Sequence, residues 1–178
     1  SAATSWSPGD RIVLAPTSYN YLEAEEVTVK SVTGRVVQLS TPLKFRHYGQ
    51  FDRYVVGAKT WGVDQRGEVA NLTRSIQIVS AGDLSNKLGA HVMIMPGAFG
   101  FIDSVEFAYM GRMGEMGRYP FHWHRAGDVA GQYIKNSSIH HSFQRCVTVH
   151  GTHNSIVENN LCFDHVGHGY FLEDGDET

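Results

Sequence analysis

The sequence predicts an all-β chain. Residues 66–178 are expected to form a right-handed parallel β-helix, cut from a longer one, with a small antiparallel β unit before it. Three observations carry this expectation. Apolar positions recur with a displacement of 22: Ile134, Ile139 and Val149 fall on Ile156, Leu161 and Phe171, while Asn136, Ser138 and Cys146 fall on Glu158, Asn160 and His168. Short apolar strands repeating at such a period suit a solenoid whose coils bury one another's inward side chains. The run Phe121-His122-Trp123-His124 alternates apolar and polar residues at the period of a strand. The composition is 42% hydrophobic and 19% charged, with 19 glycines, a mix typical of turn-rich β proteins.

Taken in order, residues 1–48 read as the antiparallel unit. Pro8-Gly9-Asp10 is a turn, and Arg11–Ala15 follows as a strand. Val27, Val29 and Val32 run to the turn signal Thr33-Gly34, and Val36, Val37 and Leu39 return. Glu23, Glu25 and Glu26 are expected on a solvated strand edge. Residues 49–65 read as a connection. The coil that contains Phe107 and Phe121 fits the repeat once two insertions are allowed, Met110–Arg118 and Arg125–Gly131. They flank the strand Phe121–His124, and loops that lengthen around one strand of a regular scaffold mark a functional place. Cys146 and Cys162 are expected to be buried free thiols.

Eight of the ten histidines lie between His122 and His168. If Phe121 and Trp123 point into the core, His122 and His124 point outward. In the next coil Val147 and Val149 then point in, and His150 stacks beside His124. Tyr170 and Leu172 are expected to take the outward places one coil further on. Two histidines at alternate positions of a strand with a third from its neighbour suit a metal, because their ring nitrogens converge. Zinc, copper and calcium are the candidate ions, and a histidine ladder without an ion is the competing reading. Asp128, Glu173 and Asp174 are the acid/base candidates. Arg125 and Arg145 are candidates to hold substrate carboxylates, and Tyr119 and Tyr170 to stack on sugar rings. His140 and His168 could join the binding face. A net charge of -3 argues against a nucleic-acid partner, and no run approaches the roughly 18 apolar residues of a membrane span.

Longer motifs carry a resemblance. These are Gly117–His124 with Gly127-Asp128, then Ser138–Phe143, Arg145–Gly151 and Gly167–Gly175, with Trp6–Val13 and Arg66–Val69 upstream in the same order. Together they resemble the family of the cell migration-inducing and hyaluronan-binding protein, its transmembrane hyaluronidase relative and fibrocystin-type proteins. The resemblance implies an extracellular or cell-surface parallel β-helix, with a glycine-rich module ahead of this part. It also implies a polysaccharide or glycosaminoglycan partner, and in some members depolymerisation of hyaluronan with divalent metal ions involved. The short loop at Ala130-Gly131-Gln132 and the few cysteines suggest a bacterial member. The leading expectation is a secreted polysaccharide hydrolase or lyase acting on an acidic glycan. Its alternatives are a non-catalytic glycan- or protein-binding β-helix of an adhesin or receptor, and a cupin-like metal oxidase or isomerase.

Overall fold

The computed structural model describes residues 5–81 and 83–178, and the described residues form two compact units divided between Thr73 and Arg74. In the first unit, strand β1 (Arg11–Leu14) lies between β2 (Glu25–Thr33) and β6 (Val69–Asn71), antiparallel to both, and β3 (Val36–Leu39) pairs with β2. Ile12, Leu14, Val27 and Val29 form its core, at the alternating positions expected of half-buried strands. Residues 49–65, expected only as a connection, contain the hairpin β4 (Phe51–Val56) and β5 (Lys59–Asp64). Glu25 is not on a solvated edge. It is buried, with its carboxylate accepting from the backbone N–H groups of Lys44 and Phe45 and bonded to His47 Nε2 at 3.0 Å. These bonds and the charge of His47 hold its pKa below the usual carboxylate range, the Lys44 bond most of all.

The second unit is a parallel β-helix. Strands β7 (Ile76–Val79), β10 (Val105–Ala108), β13 (Ser138–Ser142) and β16 (Leu161–His165) form one face. A second consists of β8 (Val92–Ile94), β11 (Phe121–Asp128), β14 (Val147–His153) and β17 (Tyr170–Leu172). The third consists of β9 (Phe101–Asp103), β12 (Tyr133–Lys135) and β15 (Ile156–Glu158). Every pairing among them is parallel. Phe107, Phe121, Trp123, Ile134, Ile139, Val147 and Val149 fill the interior. The parallel coils leave no place for a cupin barrel.

Two expectations are corrected here. The last repeat is displaced by 23, not 22: Ile134 pairs with Val157, Ile139 with Cys162 and Val149 with Leu172. A slip of one residue turns every side chain of the last coil to the opposite face. The outward places therefore go to Phe171 and Glu173, not to Tyr170 and Leu172. The cysteines are not free thiols either. Cys146 and Cys162 are joined, tying the last coil to the one before it.

Corners of the coil need left-handed backbone. At one corner Ser104, Asn136 and Asn159 adopt φ of 56°, 51° and 52°. Asparagine tolerates this region, and Asn159 Nδ2 donates to Asn136 Oδ1 at 2.7 Å, building a ladder along the corner.

Candidate metal centre

Strand alternation places His122 and His124 on the face of β11 opposite Phe121 and Trp123, as expected. His124 stands beside His150 in the β11–β14 ladder. One ring nitrogen from each of His122, His124 and His150 lies within 4.8 Å of the others. The His124 and His150 Nδ1 atoms are 3.1 Å apart. A tetrahedral zinc ion with ordinary Zn–N bonds separates its ligand nitrogens by about 3.3 Å, so this pair already stands near chelating distance.

The insertion Met110–Arg118 explains why His122 is closed to solvent. Its end brings the Gly117 carbonyl to 3.2 Å from His122 Nδ1, while Tyr119, fully buried, lies 4.8 Å from the ring centroid to centroid. A carbonyl only accepts, so Nδ1 carries the proton and Nε2 presents its lone pair. That Nε2 is buried without a hydrogen-bond partner, and so is the Thr148 hydroxyl, which belongs to the residue paired with His122 in the ladder. An unmet buried polar atom costs about 1–3 kcal/mol, and a lone pair fixed by a carbonyl behind the ring is how metal-ligating histidines are commonly held. The residues present fit a divalent ion. An imidazole set suits zinc or copper, whereas calcium takes oxygen ligands.

Burial pulls the His122 pKa down to about 4, with the neighbouring histidines adding to the effect and the Gly117 bond opposing it. His124 is lowered for the same leading reason, with His150 next. Between the ordinary histidine value near 6.5 and about 4, the unfolded chain takes up a proton at position 122 that the folded chain refuses. Stability is therefore lost as pH falls through this window. The melting temperature of chelator-treated protein should drop across it, and His122→Gln should flatten the drop. Equal slopes for the two proteins would contradict the assignment.

Glu173 follows His150 in the register of the last coil, its N–H donating to the Val149 carbonyl at 2.9 Å. Its carboxylate lies 3.7 Å from Arg145 Nη1 and 3.5 Å from the Tyr119 hydroxyl. Arg145 Nη1 in turn donates to Tyr119 at 3.0 Å, and the guanidinium covers the Phe171 ring at 3.9 Å. Asp174 stands 3.5 Å from His150 Nε2. His168 stacks on Phe171 at 4.7 Å.

The structure thus gathers His122, His124, His150, Glu173, Asp174, Arg145, Tyr119 and, through Phe171, His168. Arg125 is exposed on β11 next to His124, where the strand bulges opposite Gly151. The second insertion is therefore mostly strand, since β11 runs on to Asp128. Three expected members stand elsewhere. Asp128 lies beyond the bulge, accepting from Asn154 and from the Ala130 N–H, each at 3.0 Å. His140 is fully buried on another sheet, 3.1 Å from Glu106. Tyr170 donates its hydroxyl to the Asn160 carbonyl at 2.6 Å. Tyr119 is a wall of the site, since a fully buried ring cannot serve as an open platform. Phe171, Thr148 and the Gly117 carbonyl were not singled out from the sequence, and the correct register would have revealed the first. A concavity of about 660 Å³ beside Tyr48 and Arg66 has no histidine in its lining.

The model described as CEMIP beta-helix matches residues 87–178. The chain is 37% identical over 200 residues to a protein of Danio rerio named cell surface hyaluronidase, covering 98% of this chain and 14% of that protein. It is 36% identical over 197 residues to Homo sapiens cell surface hyaluronidase CEMIP2, with the same two coverages. It is 34% identical over 203 residues to the cell migration-inducing and hyaluronan-binding protein of Mus musculus, covering 97% of this chain and 14% of that protein. The chain therefore spans about one seventh of these relatives' length. The matched segment takes in the whole histidine face, from the loop that shields His122 to Asp174, and the chain belongs to the CEMIP beta-helix family.

Proposed function

We propose that the histidine face binds a divalent metal and acts on an acidic glycan of the hyaluronan type outside the cell, cleaving it. The observation that carries the reading is the buried, unpartnered Nε2 of His122, aimed by the Gly117 carbonyl and grouped with His124 and His150. The hyaluronan-related names of the relatives support the substrate class, and the Cys146–Cys162 bond fits an oxidising compartment.

In this reading His122, His124 and His150 would hold the ion, and the ion when bound would supply Lewis-acid polarisation. Asp174 holds the His150 ring through Nε2. Glu173 takes up a proton at Oε and returns it to the glycosidic oxygen that leaves, with Arg145 and Tyr119 fixing its position. Arg125 is the exposed cation left to meet a uronate carboxylate. The second reading, a non-catalytic glycan-binding face, is favoured by the mutual pairing of Arg145 and Glu173.

Incubation with acidic and neutral glycans, with added zinc or copper, distinguishes the two. Shortening of an acidic chain by the full-length protein supports cleavage. Retention on a hyaluronan column without any shortening leaves only the binding face.

A further inference from the structure

The bend at the ends of β10, β13 and β16 differs from the asparagine ladder. Tyr109, His141 and Asp164 adopt φ of 59°, 50° and 47° there in successive coils. Histidine and aspartate are among the residues that enter the left-handed region, but tyrosine rarely does, and strain at Tyr109 that turn chemistry does not require points to a role for its side chain. These three residues, with Lys87, Phe143 and His165, line a cavity of about 290 Å³.

The polar groups of the cavity are braced from behind. His141 Nδ1 lies 2.7 Å from His140 Nδ1, and His140 Nε2 lies 3.1 Å from Glu106, both inner groups being fully buried. The second Glu106 oxygen accepts from the Arg74 N–H and the Gln77 amide at 3.1 and 3.0 Å. On its outer side, His141 Nε2 stands 3.8 Å from Asp164. A buried carboxylate–histidine pair behind a partly exposed histidine fixes the orientation of the outer ring. His165 Nδ1 is buried and has no hydrogen-bond partner. Among the described residues no carboxylate pairs with Lys87. The metal-competent groups among the described residues lie elsewhere.

We propose that this corner is a second carbohydrate-binding site, separate from the histidine face, that takes one acidic sugar unit of a glycan. The Tyr109 and Phe143 rings offer apolar surface to the sugar. Asp164 and His141 Nε2 meet hydroxyls, and Lys87 meets the carboxylate. The choice of an acidic glycan rests on the function proposed above, while the site itself does not.

Imidazole ¹⁵N spectra of the full chain, titrated with hyaluronan tetrasaccharide and separately with neutral chitotetraose, provide the test. Saturable shifts of His141 and His165 with the acidic probe are expected. Lys87→Gln and Asp164→Asn should each weaken them at least tenfold, and asparagine keeps the left-handed corner intact. The same shifts should survive in His124→Ala. Unmoved His141 and His165 rings, or shifts indifferent to Lys87→Gln, would overturn the site. Equal response to chitotetraose would overturn its acidic preference. Shifts at the corner without any response or cleavage at the histidine face would sink the function proposed above and leave this site standing.

Discussion

Replacing both Cys146 and Cys162 by alanine should destabilise the β-helix by about 3 kcal/mol, the entropic worth of closing a loop of this length. The two residues are 16 apart in sequence. Cys146 is fully buried before β14, and Cys162 packs against the same core from β16. Tyr170 and Leu172 of the coil that Cys162 ties down are half exposed. Without the bond, the coil is held by the strand pairings of β15, β16 and β17 and by the side-chain contacts of Asn159, Phe171, Glu173 and Asp174. The melting temperature should fall by on the order of 10 °C, and the wild-type protein under reducing conditions should fall equally. Glu173 and Asp174 belong to this coil, so glycan cleavage should decline with its order. An unchanged melting temperature in the double variant would show that strand pairing alone fixes the coil.

Glu173→Gln should lower glycan cleavage by roughly 10²–10⁴-fold, the usual worth of a positioned acid or base. Glutamine keeps the size of the side chain and can still accept from the Tyr119 hydroxyl, so folding should be preserved. Glu173 is not among the three grouped histidines, and metal content should stay at the wild-type level. Loss of activity with retained metal would assign the proton transfer to this carboxylate. Activity within a few fold of wild type would instead make Glu173 a structural partner of Arg145 and Tyr119.

The alternation of Phe121–His124 and Val147–His150 was legible because each inward residue there is flanked by polar ones. Only one assignment of faces buries the apolar side chains. The last coil lacks that contrast. Ile156-Val157, Leu161-Cys162 and Phe171-Leu172 each offer two adjacent apolar residues, so displacements of 22 and 23 satisfy burial equally well. The structure takes 23, which places Glu173 beyond His150 on the outer face. The disulfide was hidden for a related reason. Its cysteines are separated by less than one coil, on different faces, and no ladder pairing joins them. His122 was correctly turned outward, but its burial depends on how the Met110–Arg118 loop returns over the strand. Spacing alone does not specify that path. The local alternation in Ser138–Ser142 left open which of His140 and His141 faces out. The structure buries His140 against Glu106 and places His141 at a strained corner.

Elemental analysis of purified, zinc-equilibrated protein after extensive dialysis tests the central claim most directly. The account predicts close to one equivalent of metal in the wild type and little in His124→Ala, because two ligands rarely hold zinc against competition. Wild-type protein that binds no metal and still shortens an acidic glycan at its full rate would contradict it.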